Sequence, residues 1–464
     1  MREKLKLTVP FWVVLYPLVL CATLQSCSSA SNPPQRIKKQ SKSTATEDRF
    51  GSSMVFPVTG NVYPKGYYQV TLNIGHPSKP YFLDMDTGSD LTWLQCDAPC
   101  TKCTPTPHTL YKPNKNVVTC KDPLCGSLNW SGSHPCETPD EQCDYEVQYA
   151  DHGSSLGVLV KDSFPLRFIN GSTVGPRLTF GCGYNQEFPD TIRPPFTDGV
   201  LGLGSGKSSI VSQLQNLGLT QNVVGHCLSV QGGGFLFFGD DLVPSSGSGI
   251  IWTPMLHNPP EEQHSLGPAE LLFDGRTTGV KGLKIVFDTG STYSYFNLQA
   301  YKALVSLIMK DLNGKQLKET AEDRSLPLCW KGRKPFKSIR DVKNYFRPIE
   351  LFFMNDKNVQ FQLQPKAYLI VTEHGNVCLG ILNGTEVGLG NVNIIGGIRL
   401  RDISMQDKMV IYDNENQWIG WVTANCDRLP NLDQTCDEGF SQPYADNLGI
   451  LGHSTANFGS VRSK

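Results

Sequence analysis

The chain has 464 residues, of which 39% are hydrophobic and 18% charged, and its formal net charge is −1. This length exceeds one ordinary domain core and predicts two lobes, while the near-neutral charge argues against a protein that binds nucleic acid or another polyanion. The 44 Gly and 31 Pro imply frequent turns and few long helices, which favours a mostly β protein.

The first 27 residues have the pattern of a signal peptide. A basic start, MREKLK, precedes the 16-residue apolar stretch VPFWVVLYPLVLCATL, and small residues follow in SCSSA. The apolar stretch is shorter than the ~20 residues that a spanning helix needs, and no later segment is long and apolar enough. We therefore predict entry into the secretory pathway, no membrane anchor, and a secreted or vacuolar location.

Polar segments flank the part that we predict to be globular. Residues 28–60 are largely polar and basic without periodicity and predict a pro-segment or linker, and residues 428–464 predict a polar C-terminal tail. Between them we predict an N-terminal lobe over 61–250 and a C-terminal lobe over 251–427.

Short strand patterns run through both lobes. In the first lobe they include VYPKGYYQVTLNIG, KPYFLDMDTGS, LTFGCG and GGFLFFG, and residues 94–145 are rich in cysteine and turns. In the second lobe, residues 301–315 have apolar residues at helical spacing and predict a surface helix. Further strands are predicted at YFRPIELFF, AYLIV, VCLGIL, MVIYD and QWIGWV.

Cysteine usage agrees with secretion. Two of the fifteen cysteines, Cys21 and Cys27, lie in or beside the signal, and the remaining thirteen are expected to be oxidised. An odd count leaves one over, which we assign to Cys436 in the tail. Three sequons are candidate glycosylation sites: Asn129, Asn170 and Asn383.

The first cysteines of the globular part allow a second interpretation. Cys96, Cys100 and Cys103 form a C-x3-C-x2-C pattern with His108 nearby, which can be read as metal-binding. Secretion and the many further cysteines favour disulfides instead. We predict no metal and no cofactor.

The strongest signal is an internal repeat. An apolar strand runs into D-T-G-S at Asp86 and again at Asp288, and an apolar-glycine stretch follows each copy, GVLGLG at 199–204 and NIIGG at 393–397. Two copies of one unit facing each other would place the two aspartates together. The alternative interpretation is a pair of ordinary β-turns with Asp-Gly chemistry.

Two adjacent carboxyl groups support a specific chemistry. At a separation of roughly 3 Å they cannot both ionise cheaply, so they share one proton and titrate as a coupled pair. The ionised partner can take a proton from a water that attacks a peptide carbonyl, and the neutral partner can donate toward the developing oxyanion. Neither a metal nor a covalent intermediate is required.

On these residues the chain resembles a pepsin-like aspartic protease, in which such a pair is the catalytic dyad, and within that family the plant nucellin and nepenthesin type. The resemblance covers about residues 60–427 and implies two β-barrel-like lobes with a catalytic cleft between them. The roles it implies are catalytic for Asp86 and Asp288, supporting hydroxyls for Ser89 and Ser291, a substrate-covering flap for Tyr149, and a hydrogen-bond partner of that flap for Trp93.

The flap departs from the family pattern at one position. The family more often has Y-G-D-G-S, whereas this chain has Y-A-D-H-G-S, which adds His152 near the cleft mouth. His152 is either a group that biases the pH profile or contacts substrate, or an exposed hairpin histidine without a special role.

The resemblance also implies a set of disulfides. The expected pairs are Cys96–Cys100, Cys103–Cys182, Cys120–Cys143, Cys125–Cys136, Cys227–Cys426 and Cys329–Cys378.

The sequence thus predicts a monomeric aspartic endopeptidase that acts on protein or peptide substrates. One chain carries both halves of the repeat, so a second subunit is not needed. The alternative is a proteolytically inactive binding or inhibitor protein on the same scaffold. The presence of Asp86, Asp288 and Tyr149 together favours the enzyme.

Overall fold

The computed structural model describes most of the chain between residues 52 and 428. The described ranges are 52–61, 67–100, 102–128, 136–149, 153–188, 195–229, 231–245, 247–256, 264–291, 293–323, 326–354, 359–396 and 405–428. The predicted signal peptide, most of the predicted pro-segment, Asn129, His152 and Cys436 lie outside these ranges.

The strands of the first half contain the first D-T-G-S copy. They are β1 (Met54–Asn61), β2 (Tyr67–Ile74), β3 (Lys79–Asp86), β4 (Trp93–Gln95), β5 (Asp144–Gln148), β6 (Ser154–Ser163), β7 (Leu166–Arg167), β8 (Thr173–Val174), β9 (Arg177–Glu187), β10 (Gly199–Gly202), β11 (Val223–Leu228) and β12 (Gly234–Phe238).

The strands of the second half contain the second copy. They are β13 (Ile251–Pro254), β14 (Ser265–Phe273), β15 (Arg276–Thr277), β16 (Leu283–Asp288), β17 (Ser294–Phe296), β18 (Lys318–Thr320), β19 (Cys329–Lys331), β20 (Ile349–Phe353), β21 (Gln360–Leu363), β22 (Leu369–Val371), β23 (Val377–Leu379), β24 (Ile381–Asn383), β25 (Val392–Gly396), β26 (Lys408–Asp413) and β27 (Trp418–Thr423).

The described residues form two α-helices, α1 (Ile210–Asn216) and α2 (Leu298–Leu312), which pack beside these strands. The predicted surface helix is α2, which buries a stripe at four-residue spacing made of Ala300, Leu304, Ile308 and Leu312. It begins three residues earlier than predicted because the Asn297 side chain caps it, accepting a hydrogen bond from the Ala300 amide at 3.0 Å. Short 3₁₀ turns occupy Cys125–Ser127, Ile339–Asp341, Pro365–Ala367 and Gly384–Val387.

The described strands form two main sheets. The longer has the order β13-β27-β26-β11-β12-β1-β2-β3-β10-β4-β9-β6-β5, and the second has the order β21-β20-β14-β16-β25-β17-β24 with β15 beside β14. The prediction of a mostly β protein is confirmed. Both sheets have free ends within the described residues, so neither closes into the barrel-like lobe that the resemblance implied.

The internal repeat is visible in the strand register. In the first half β3 lies parallel to β10, with Asp86 opposite Gly202. In the second half β16 lies parallel to β25, with Asp288 opposite Gly396. Each aspartate therefore ends a buried strand beside the apolar-glycine strand of its own half, as the sequence repeat indicated.

The end of the chain returns to the first half. Strand β26 pairs antiparallel with β11, and β27 pairs with both β26 and β13. Residues predicted to belong to the C-terminal lobe thus extend the sheet that carries Asp86.

The last residues of the predicted pro-segment form a strand of the longer sheet. Residues 54–60 were assigned to it, yet they lie in β1, which pairs with β12 and with β2. The reason is the alternation of MVFPV, which buries Met54, Phe56 and Val58 against the core.

Six disulfides link the described cysteines. They are Cys96–Cys182, Cys100–Cys103, Cys120–Cys136, Cys125–Cys143, Cys227–Cys426 and Cys329–Cys378. The last two match the expected pairs, and the other four expected pairs are wrong because partners are exchanged within two groups of four neighbouring cysteines.

One of those groups shows why the pairing was ambiguous. Sulfurs of Cys120, Cys125 and Cys136 all lie within 4.8 Å of one another. At such spacing the local sequence does not distinguish the nested arrangement that we expected from the interleaved one in the structure.

Within the described part of the chain, no helix is long and apolar enough to cross a membrane.

Candidate active site

The two D-T-G-S copies meet. A β-carbon added to Gly88 would stand 2.7 Å from the Asp288 carboxyl, and one added to Gly290 would stand 2.5 Å from Oδ1 of Asp86. Neither glycine is needed for a left-handed backbone, since neither has a positive φ. Each is needed because the aspartate of the other half occupies the space of its missing side chain.

The two threonines lock this meeting by exchanging hydrogen bonds across the halves. The Thr87 amide donates to Thr289 Oγ1 at 3.1 Å, and the Thr289 amide donates to Thr87 Oγ1 at 3.0 Å. Each hydroxyl in turn donates to a carbonyl on the opposite strand, Thr87 to Phe287 at 3.0 Å and Thr289 to Met85 at 2.9 Å. Both threonine hydroxyls therefore make their hydrogen bonds across the interface between the halves.

Each carboxyl is held by its own turn. Asp86 accepts from the Gly88 amide at 2.9 Å and from the Ser89 hydroxyl. Asp288 accepts from the Gly290 amide at 2.8 Å and from Ser291. The serines therefore occupy the supporting positions that the resemblance implied.

Burial sets the protonation of the pair. It raises the pKa of Asp86 well above its ordinary value, and the nearby charge of Asp288 adds to the rise. Burial also raises the pKa of Asp288, although hydrogen bonds from Ser291, Asp86 and Gly290 oppose this. Two coupled carboxyls hold one shared proton over the pH range between their two successive protonation steps.

A layer of three buried side chains, His226, His264 and Tyr412, lies next to Thr87. The Tyr412 hydroxyl donates to Thr87 Oγ1 at 3.4 Å, and the His226 Nε2 lies 3.4 Å from that hydroxyl. The His264 ring packs against the Tyr412 ring in a tilted arrangement, with ring centroids 4.4 Å apart. Its two nitrogens lie 3.3 Å from the Thr87 carbonyl and 3.0 Å from Asn414 Oδ1. Burial lowers the pKa of His264 to about 4 and that of His226 to about 3.

The sequence interpretation missed this layer. His226, His264 and Tyr412 come from β11, from the residue before β14 and from β26, which are far apart along the chain. A single histidine in a strand carries no signal of its own, and their proximity depends on the return of β26 to the first half.

The predicted flap lies over the site. Tyr149 ends the hairpin of β5 and β6, where its amide donates to the Gly153 carbonyl at 2.8 Å. The Trp93 indole Nε1 donates to the Tyr149 hydroxyl at 2.6 Å. The structure therefore brings these two predicted site residues together.

A cleft of about 250 Å³ contains the pair, with Ser89, Ser291, Trp93 and Tyr149 among its lining residues. Its two walls differ. Beside Asp288 and Ser291, the second half contributes the apolar Val286, Leu389, Val392 and Ile394 and the aromatic Tyr295. The first half contributes more polar groups, including Asp84, Gln95, Thr104, Gln148 and Thr197, together with the apolar Trp93, Phe188, Pro195 and Val200.

The other described candidate residues lie outside the cleft lining. The sulfurs of Cys96, Cys100 and Cys103 are all in disulfides, and His108 Nδ1 lies 2.7 Å from Asp198, so the metal pattern is occupied by other contacts. Asn170 is exposed.

Asn383 does not suit the glycosylation predicted for it. It is 8% exposed, and its Nδ2, the atom that would carry a glycan, donates to Glu386 at 2.9 Å. Its Oδ1 accepts from the Thr385 amide at 3.2 Å, so the side chain caps a 3₁₀ turn.

Two facing D-T-G-S turns under a tyrosine flap define an aspartic-protease scaffold, and the comparisons with known proteins agree. Residues 68–240 match the family described as xylanase inhibitor N-terminal, and residues 264–423 match xylanase inhibitor C-terminal. The chain belongs to this branch of the pepsin-like aspartic protease family.

Similar curated proteins carry aspartic proteinase names. The chain is 46% identical over 390 residues to a rice aspartic proteinase (Oryza sativa subsp. japonica), covering 82% of this chain and 92% of the relative. It is 28% identical to aspartic proteinase 39 of Arabidopsis thaliana, covering 83% and 81%, and 26% identical to aspartic proteinase nepenthesin-1 of Nepenthes gracilis, covering 78% of each.

A solved structure shares the fold. Basic 7S globulin from soybean superposes with a TM-score of 0.61 at 16% identity, covering 82% of this chain and 99% of that one.

Proposed function

We propose that this chain is an aspartic endopeptidase that hydrolyses peptide bonds with a water activated by Asp86 and Asp288. The observation that carries the proposal is that each carboxyl reaches across the halves, to within 3 Å of a β-carbon added to the other half's glycine. Family membership and the names of the relatives support it.

The catalytic step follows from the shared proton. The ionised carboxyl removes a proton from a water held between the pair, and the neutral carboxyl donates its proton to the carbonyl oxygen as the water attacks. The carboxyls exchange roles when the product amine leaves. The glycine amides and serine hydroxyls hold the carboxylate oxygens in place, so little reorganisation is needed.

The flap positions the substrate. An extended peptide enters the cleft between the dyad and Tyr149, where the hairpin edge offers backbone groups for strand-like pairing. The hydrogen bond from Trp93 fixes the tyrosine ring over the site. The apolar second wall favours apolar side chains on its side of the cut.

The second candidate is a proteolytically inactive binding or inhibitor protein. It is favoured by one observation, the match of both halves to families that are described as xylanase inhibitor N-terminal and C-terminal. The intact dyad and the flap tyrosine favour the enzyme over this candidate.

An acid-pH digestion distinguishes the two. The processed chain is incubated with a denatured globin, with and without pepstatin, beside an Asp288→Asn variant. We expect cleavage that pepstatin and the substitution both remove. An absence of pepstatin-sensitive cleavage would favour the binding protein.

We also propose that the protein is made in the secretory pathway, acts as a monomer and loses an N-terminal pro-segment. The six disulfides support an oxidising compartment. Intact-mass measurement and N-terminal sequencing of the secreted product would test the processing.

A further inference from the structure

The cleft contains a third carboxylate that the proposed hydrolysis does not use. Asp84 lies two residues before Asp86 on β3, and strand alternation places both side chains on the same face. Asp84 lines the same cleft and is 9% exposed.

The internal repeat shows what is unusual about Asp84. The equivalent position before Asp288 is Val286, which also lines the cleft. The two halves thus present different side chains at matching places, a carboxylate from the first half and an isopropyl group from the second.

Asp84 has one polar and one apolar neighbour across the sheet. Its strand neighbours in register are Gln69 on β2 and Val200 on β10. Its charge contributes to the raised pKa of Tyr67, after burial. Among the described residues that line the cleft, the charged ones are Asp84, Asp86 and Asp288, so the lining carries acidic groups and no basic one.

We propose that Asp84 is a specificity-determining residue that selects substrates with lysine or arginine on one side of the cut. This inference rests on the proposed function. A largely buried carboxylate in the cleft lining interacts more strongly with a cationic side chain than an exposed carboxylate does, and it disfavours an acidic one through like-charge repulsion. The apolar second wall takes an apolar residue on the other side of the cut.

A peptide series measures this preference. Each peptide carries Lys, Leu or Glu at one position, scanned over the residues on both sides of the cut, and kcat/KM is determined for each. We expect one position at which Lys exceeds Leu by about 10- to 100-fold, the range for a hydrogen bond to a charged group, and at which Glu is the poorest.

Two variants assign that preference to Asp84. Asp84→Asn removes the charge at nearly constant shape, and Asp84→Val copies the residue of the other half. Both are expected to reduce the Lys-to-Leu ratio to about one at that position. The matched control is Asp97→Asn, which removes an exposed carboxylate outside the cleft lining and should keep the ratio.

Direct binding separates this inference from the proposed catalysis. Fluorescent Lys and Leu peptides are titrated against the parent chain and the Asp84 variants, with affinity as the readout. Cleavage without any preference for Lys overturns the assignment of Asp84 and leaves the hydrolase. Preferential binding of Lys peptides without cleavage overturns the proposed hydrolysis but supports the role of Asp84 in selecting cationic side chains. If the chain neither cleaves peptides nor prefers Lys peptides, both proposals are overturned.

Discussion

At the scale of single residues, the active-site turns depend on space as much as on charge. Gly88 and Gly290 each leave room for a carboxyl that comes from the opposite half of the chain. A methyl group at either position would push the pair apart, although the backbone angles there would tolerate alanine.

This leads to a prediction for Gly88→Ala. The added methyl would stand 2.7 Å from the Asp288 carboxyl, so we expect cleavage to be lost and stability to fall by about 1–3 kcal/mol, the usual cost of overpacking. Denaturant unfolding measures the loss of stability, and the peptide assay measures the loss of cleavage. The control is Gly126→Ala, because a β-carbon there meets nothing within 4 Å; equal effects in the two variants would contradict the explanation.

The dyad itself gives a second residue-scale prediction. In Asp288→Asn the amide keeps the shape but cannot share the proton, so we expect kcat to fall by roughly 10³-fold or more while the fold is retained. Circular dichroism and thermal unfolding check the fold beside the rate measurement. Turnover at the parent level would exclude the role assigned to Asp288.

At the scale of elements, the β5–β6 hairpin is tied to the body through its tyrosine. Tyr149→Phe removes the hydrogen bond from the Trp93 indole and leaves the ring, so we expect kcat/KM to fall by about 2- to 10-fold without loss of cleavage. Tyr184→Phe, outside the cleft lining, is the matched control. Identical kinetics in the parent and the Tyr149 variant would mean that this hydrogen bond does not position the flap.

The cysteine-rich loop is an element whose connectivity can be checked directly. Peptide mapping under non-reducing conditions, with cuts after Lys121, within 126–135 and within 137–142, separates the four cysteines of this loop. We expect Cys120 joined to Cys136 and Cys125 joined to Cys143. Recovery of Cys120 with Cys143 would instead support the nested pairing expected from the family resemblance.

At the scale of the whole molecule, buried ionisable groups set opposing trends of stability with pH. The pKa of His264 falls from 6.5 to about 4 on folding, so the unfolded chain binds more protons between these values. Stability is therefore lost as the pH falls from 6.5 to about 4, and His226 acts in the same direction. The raised pKa values of Asp86 and Asp288 have the opposite sign, because the folded chain takes up the proton first and gains stability as the pH falls.

His264→Gln tests this trend. Glutamine can donate to the Thr87 carbonyl but does not titrate, so the drop in unfolding free energy between pH 7 and pH 4 should shrink, by up to about 3 kcal/mol. The control is His76→Gln at an exposed position. A drop as large in the His264 variant as in the parent would contradict a neutral buried imidazole.

The sequence predicted the parts of this molecule that depend on local pattern. The repeated D-T-G-S turns, the glycine strands beside them, α2 and the Trp93–Tyr149 contact were accessible from short motifs or from family resemblance. The threonine exchange, the His264–Tyr412 layer and four disulfide pairings were not, because each depends on which distant segments meet. Strand β1 was missed since its alternation is short and follows a polar segment.

The return of β26 and β27 to the first half has a consequence for synthesis. Tyr412, which supports Thr87 from below, lies on β26, and β26 joins β11 to β27 in the sheet. A nascent polypeptide that has not yet passed residue 408 lacks these strands, even though both aspartates have already left the ribosome. The sheet that carries Asp86 can therefore be completed only after nearly all of the described chain has been synthesised.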